Sequence, residues 1–259
     1  MTMKKIAFLL MVAMVSMAGM AQGHDWIEEG NAAYNEGNYD QALTCYNSIV
    51  EAGMESATLY YNMGNTYYKM KDYPHAILYY EKALKLDPGD EDIRTNLEIA
   101  NMSVVDKINQ IPQSFIKRWW NSLKSSLSAD GWAWVSVASF ALLLLCLFAF
   151  LMSRRTGIRK LGFFLGLVFI VCLAFSVLFA VQGHRDLNRH DEAIIMTPTV
   201  NVKSTPSDNS VDLFVLHEGA KVRIIDVMKD RSDPEKEWYK IKIADGKVGF
   251  LPAADMQSF

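Results

Sequence analysis

Five histidines and three cysteines are the residues of this 259-residue chain best suited to acid–base, metal or nucleophilic chemistry, and their spacing gathers none of them into a site. His24, His75, His184, His190 and His217 fall in separate segments. His184 and His190 lie six residues apart, whereas two metal ligands on one helical face need a step of three or four. Cys45 stands alone, and Cys146 and Cys172 sit in apolar runs where a thiol serves as a small packing group. There is no disulfide framework and no CxxC pair. No phosphate loop, nucleophile elbow or zinc signature is present either. The expectation is a non-enzymatic chain with no cofactor. The chemistry left to it is hydrogen bonding and stacking, by asparagines and tyrosines that recur at a fixed interval.

That interval is 34 residues. Gly30 pairs with Gly64, Asn31 with Asn65, Tyr34 with Tyr68, Tyr39 with Tyr73, Ala42 with Ala76 and Tyr46 with Tyr80. Small residues at 30, 42, 64 and 76 let two helices approach closely, and the tyrosines at 46 and 80 fill the space beside them. Turn signals fall at Gly37-Asn38, at Asp72 and at Asp87-Pro88-Gly89-Asp90. Each helix pair leaves an apolar face that a neighbour must cover. Ile93, Leu97, Ala100, Val104 and Ile108 recur near helical spacing and predict a capping helix over Asp90 to Asn109, stopped before Pro112. The helical module is therefore expected over residues 22–110.

The copies Gly23–Ser56 and Ala57–Asp90 resemble the tetratricopeptide repeat, a 34-residue helix–turn–helix. The second copy carries Tyr60, Met63, Gly64, Tyr67, Ala76, Tyr80, Ala83 and Pro88 at the signature positions. The resemblance implies a peptide-binding concave side lined by Ile27, Asn31, Tyr34, Asn35, Tyr61, Asn65, Tyr68 and Lys69. Asparagines there suit an extended peptide backbone. The tyrosines serve either that groove or helix packing. The basic clamp that some relatives use for a terminal carboxylate is absent, because Ile27, Asp92 and Asn96 occupy its positions.

Two uncharged apolar runs follow, Trp132 to Met152 and Leu161 to Val181. Each is long enough, at about 1.5 Å per residue, to cross roughly 30 Å of hydrocarbon. The connector between them holds Arg154, Arg155, Arg159 and Lys160. A basic turn belongs on the cytoplasmic side, so the pair reads as a membrane hairpin with both flanking modules outside the cytoplasm. Neither run contains an ionisable Asp, Glu, Lys, Arg or His, which disfavours an ion or proton path. Gly162 and Gly166 form a GxxxG pair that permits close helix contact. Ahead of the hairpin, Ile116, Trp119, Trp120, Leu123 and Leu127 predict an amphipathic helix over residues 113–129. It lies at the membrane surface, or packs on the repeats. Trp119, Trp120, Trp132 and Trp134 are the expected interface anchors.

Lys4 and Lys5, the apolar run Ile6–Met17 and the small residues Gly19 and Ala21 predict a signal peptide over residues 1–21. The exported modules are then both acidic. Residues 22–131 hold 9 Lys/Arg and 16 Asp/Glu, and residues 182–259 hold 11 and 13. No basic footprint for nucleic acid exists.

From Ala193 the pattern turns to short β-branched runs: Ala193–Ile195, Val200–Lys203, Val222–Val227, Trp238–Ile243 and Val248–Leu251. A small all-β barrel is expected over residues 193–258. Trp238 serves as core or as a stacking platform, and the stretch Met228–Glu235 reads as a solvated loop. The motifs Val200-Asn201-Val202-Lys203, Trp238-Tyr239-Lys240-Ile241 and Asp245-Gly246-Lys247-Val248-Gly249-Phe250-Leu251 resemble the bacterial SH3 domain.

The fold class is thus a multidomain membrane protein: an α-helical tetratricopeptide solenoid, a two-helix transmembrane hairpin and an SH3-like barrel. With Phe115-Ile116-Lys117-Arg118-Trp119-Trp120 and Ser128-Ala129-Asp130-Gly131-Trp132-Ala133-Trp134, the whole arrangement resembles the BatE family of the Bacteroides aerotolerance (Bat) proteins. The resemblance implies an inner-membrane adaptor with periplasmic modules, in an assembly linked to aerotolerance or envelope stress. Its implied partners are von Willebrand A-type Bat proteins and a MoxR-type ATPase. A competing reading is a protein that binds cell-wall peptidoglycan through the barrel.

Overall fold

The computed structural model describes residues 25–107, 114–229 and 237–259. The expected signal peptide, Ile108, Pro112 and most of the loop at 228–235 lie outside the described residues. Two compact units are present. One joins the helical repeats to the C-terminal sheet, and the other holds the long apolar helices.

In the first unit, α1 covers residues 25–35. It is followed by α2 (Tyr39–Glu51), α3 (Ala57–Lys69), α4 (Tyr73–Leu86) and α5 (Glu91–Met102). The glycines explain how closely the helices approach. A Cβ on Gly30 would sit 2.5 Å from the Tyr46 ring, and one on Gly64 would sit 2.6 Å from the Tyr80 ring. Tyr46, Tyr80, Met63, Ile77, Leu78 and Ala83 are fully buried between the helices. Ser56 caps α3, its hydroxyl accepting from the Leu59 amide at 3.1 Å.

The α1–α2 and α3–α4 turns are the same structure 34 residues apart. Gly37 and Lys71 both take positive φ, 83° and 65°. In each, the next residue's amide reaches five residues back: Asn38 to Ala33 at 2.8 Å, and Asp72 to Tyr67 at 3.0 Å. This closes the helix with a Schellman motif, which favours glycine at the left-handed position. Lys71 therefore carries backbone strain that Gly37 does not. Lys71→Gly is expected to raise stability by about 0.5–1 kcal/mol, after the extra chain entropy of glycine is counted. A urea titration of the two proteins checks it, with a higher midpoint for the variant.

The capping helix is shorter than its spacing predicts. It ends at Met102, not Asn109. Val104 has left the helix and is buried, and Asp106 accepts a hydrogen bond from the His217 amide. These long-range contacts end a helix that local spacing alone would continue.

The C-terminal part of this unit is a seven-stranded antiparallel sheet. Its strands are β1 (Glu192–Ile195), β2 (Thr199–Lys203), β3 (Asp212–His217), β4 (Lys221–Lys229), β5 (Glu237–Lys242), β6 (Val248–Pro252) and β7 (Met256–Ser258). Their order is β3-β2-β6-β5-β4-β1-β7. β3 and β7 stand at the two edges, so the ladder does not close on itself as a barrel would. Neither of these strands was among the sequence-predicted runs. Ile195, Val202, Leu216, Val222, Ile241 and Leu251 form the buried interior of the sheet, and Ile194 and Trp238, outside that cluster, are fully buried as well, so Trp238 is no exposed stacking platform. Gly249 lies directly against Val202, where a side chain would collide.

The second unit contains α6 (Phe115–Lys124), α7 (Ala129–Met152) and α8 (Thr156–Leu187). The last two are long and apolar enough to cross a membrane. They form an antiparallel hairpin. Gly162 lies against the backbone of α7, where a Cβ would come within 2.9 Å of the Cys146 carbonyl oxygen. Gly166 faces the Cys146 side chain. Ser139 and Ser176 are buried, while Leu145, Phe148, Phe164 and Leu167 point outward and are exposed. Small residues within and large apolar ones without is the reverse of a water-soluble helix pair.

Helix α7 begins three residues before the apolar run, because Ser128 caps it by accepting from the Gly131 amide at 3.1 Å. The connector is also shorter than the charge pattern suggests. Only residues 153–155 are non-helical, so Arg154 and Arg155 lie in the turn while Arg159 and Lys160 belong to α8.

Candidate functional site

The first helices of the repeats present their Asn and Tyr side chains along one surface. Two hollows adjoin there and share Tyr34 and Asn65. The first, of about 280 Å³, is lined by Asn31, Tyr34, Asn35, Asn62 and Asn65 together with Tyr46. The second, of about 410 Å³, is lined by Tyr61, Tyr68, Lys69, Asn96 and Ile99 among others. Seven of the eight sequence-predicted groove residues, Asn31, Tyr34, Asn35, Tyr61, Asn65, Tyr68 and Lys69, are brought together. Ile27 lines neither hollow. Lys69 is the charged residue among the described lining residues.

Two of the predicted residues have a second task that spacing did not reveal. Asn31 Oδ1 accepts from the Tyr46 hydroxyl at 2.8 Å and from Asn62 Nδ2 at 3.0 Å. Asn65 Oδ1 accepts from the Tyr80 hydroxyl at 2.8 Å and from Asn96 Nδ2 at 2.9 Å. The two networks are identical and 34 residues apart. Asn96 Nδ2 also donates to the Tyr61 hydroxyl at 3.0 Å. Each hub asparagine therefore spends its oxygen on the scaffold and keeps its amide N–H groups for the groove. Asn62 and Asn96 were missed as a pair, although they too are separated by one repeat length.

Burial dominates the titration of the tyrosines. It pushes Tyr46 up to about 12, with Tyr34 and Cys45 adding to the shift. It does the same for Tyr67, up to about 12, helped by Tyr79 and Asp72. Burial raises Tyr80 and Tyr60 as well. In the unfolded chain these groups ionise near pH 10. Because the folded values are raised, the associated stability is fully present below pH 10 and is lost as the pH climbs to about 12. Tyrosinate absorbance is thus expected to rise steeply, together with loss of helical circular dichroism. A gradual rise about pH 10 with helicity intact would contradict this burial.

The membrane-interface tryptophans divide into two pairs. Trp119 and Trp134 are exposed, at 57% and 74%. Trp120 and Trp132 instead close on Phe179, with ring centroids at 5.0 and 4.9 Å. Phe179 is fully buried by them. The Trp132 indole N–H donates to the Lys124 carbonyl at 2.9 Å, and Lys124 pairs with Asp186. Trp120 on α6 and Trp132 on α7 thus both close on α8, and the helix that carries Trp119 and Trp120 spans Phe115–Lys124 where 113–129 was expected.

The comparisons with known proteins bear on the helical module. The family model described as "Tetratricopeptide repeat" matches residues 57–90, and that described as "TPR repeat" matches residues 30–71. Residues 30–90 carry tetratricopeptide repeats. A human relative, "Tetratricopeptide repeat protein 12", is 31% identical over 115 residues, covering 40% of this chain. The chain spans 16% of that relative's length. Such repeats imply a scaffold for protein–protein interaction.

Proposed function

We propose that this protein is a non-enzymatic, membrane-anchored adaptor whose tetratricopeptide groove holds an extended segment of a protein partner. The observation that carries the reading is the duplicated asparagine hub, which engages the side-chain oxygens of Asn31 and Asn65 and so leaves their amide N–H groups as donors to a groove walled by tyrosines. Such donors suit backbone carbonyls, and the rings suit apolar or flat side chains. Lys69 supplies a positive charge at one end and favours an acidic residue in the partner there.

In this proposal α7 and α8 anchor the chain in the inner membrane. Arg154 and Arg155, with Arg159 and Lys160 behind them, keep the turn in the cytoplasm, and both soluble modules are periplasmic. Trp119 and Trp134 sit at headgroup depth. The C-terminal sheet is an SH3-like module. The resemblance to the BatE family suggests von Willebrand A-type membrane proteins and a MoxR-type ATPase as the assembly, with a role in aerotolerance or envelope stress.

Affinity purification of the tagged chain from native membranes, followed by mass spectrometry, tests it. The adaptor reading expects a defined protein partner that is lost on Tyr68→Ala with Lys69→Glu. Recovery of the chain alone, with binding to purified peptidoglycan instead, would replace it by the wall-binding reading.

A further inference from the structure

The repeat solenoid stops at half a repeat. Helix α5 supplies Asn96, one repeat length after Asn62, and so completes the second hydrogen-bond network as a first helix of a third repeat. No second helix can follow it in the same way. Gly30 and Gly64 admit the tyrosine of the next helix, with less than 3 Å to spare for a Cβ. The residue at the same place in α5 is Glu98, and the place of the hub asparagine is taken by Ile99. The end face of α4 and α5 therefore needs another cover, since an exposed repeat face is apolar.

The C-terminal sheet supplies that cover. Gly219, in the β3–β4 turn at φ 82°, packs on Val104 and Ile77 so closely that a Cβ would lie 2.7 Å from Val104 Cγ2. Ile77, Val104 and Ala220 are buried. Polar contacts flank this plug on both sides. The His217 amide donates to Asp106 Oδ2 at 2.6 Å, and His217 Nδ1 lies 2.9 Å from Asp106 Oδ1. Lys221 Nζ lies 2.8 Å from Glu81 Oε2 on α4 and 2.9 Å from Glu192 Oε2 on β1. The ammonium thus ties the sheet to the solenoid. Burial opposes its charge, but Glu81 and Glu192 together hold its pKa above the ordinary lysine value.

We infer that the C-terminal sheet is the terminal cap of the repeat solenoid, seated through Gly219, His217 and Lys221 where the second helix of a third repeat would lie. The two modules then act as one rigid body, and the β3–β4 turn is an internal docking element that is closed to outside partners.

The full chain in its native membranes provides the test. Glu81→Cys with Lys221→Cys is expected to be joined by a short bismaleimide. Glu192→Cys with Arg223→Cys, which are cross-strand neighbours in the same sheet, serves as the control. Joining of the control without the first pair would overturn the cap. Hydrogen exchange of the purified chain gives the second measurement. Glu81→Lys with Asp106→Ala leaves the Lys221–Glu192 contact in place. It is expected to speed exchange at least tenfold in α5 and in the β3–β4 turn, while α2 and β5 keep their protection. Unchanged exchange in α5 would overturn the inference.

Discussion

Gly64→Leu is expected to unfold the repeat module while leaving the apolar hairpin formed. The introduced side chain would start 2.6 Å from the buried Tyr80 ring, which is held by its hydroxyl bond to Asn65. The ring cannot swing away without breaking that bond and opening the contact between α3 and α4. Overpacking in a close-packed interior costs about 3 kcal/mol or more when the neighbour is pinned. That is a large part of the stability of a small helical module. Ten of the eleven tyrosines lie between Tyr34 and Tyr80, so tyrosine absorbance reports on this module selectively. The expected result is loss of the tyrosine unfolding transition at ordinary temperature, with the helical signal of α7 and α8 retained in detergent. A wild-type transition would show that Tyr80 is not pinned as described.

The second large effect separates the two tasks of Asn65. Asn65→Ala removes the acceptor of both the Tyr80 hydroxyl and Asn96 Nδ2, leaving two donors without their partner. The expected loss is about 1–3 kcal/mol of stability. Asn65→Asp keeps both accepted bonds and replaces the groove-facing amide donor by a second acceptor. The fold is expected to survive this change, while partner retention falls by roughly tenfold, the effect of about 1.4 kcal/mol. Urea melts and pull-downs on the two variants decide the matter. Full retention of the partner by a stable Asn65→Asp variant would assign Asn65 to packing alone.

The sequence carried the repeat because the period is written in small residues. Gly30 and Gly64 occupy places with no room for a Cβ, Ala42 and Ala76 are fully buried, and each pair is spaced by 34 residues. The groove residues were legible for the same reason. What was not legible depends on partners far along the chain. Nothing near Asn65 announces that Tyr80 and Asn96 will use its oxygen. Nothing near Trp120 points to Phe179, and an amphipathic wheel places it with Trp119 although the two indoles face different surroundings. Val104 falls at helical spacing from Ala100, yet it belongs to a contact with Gly219, more than a hundred residues away. Strand β3 escaped notice because Leu213-Phe214-Val215-Leu216 is an apolar run without alternation. Strand β7, with three residues, is too short to show a pattern.

Glu98 has a consequence for how such an array changes length over generations. A duplicated 34-residue unit inserted between Leu86 and Glu91 would bring its own glycine, asparagine and tyrosine, and would hand the last helix on to the same seat. A unit appended after Met102 would meet a carboxylate where a glycine is required. The gene can therefore lengthen this scaffold from within but not at its end, and longer descendants should keep the helix of Asn96 and Glu98 as their final one.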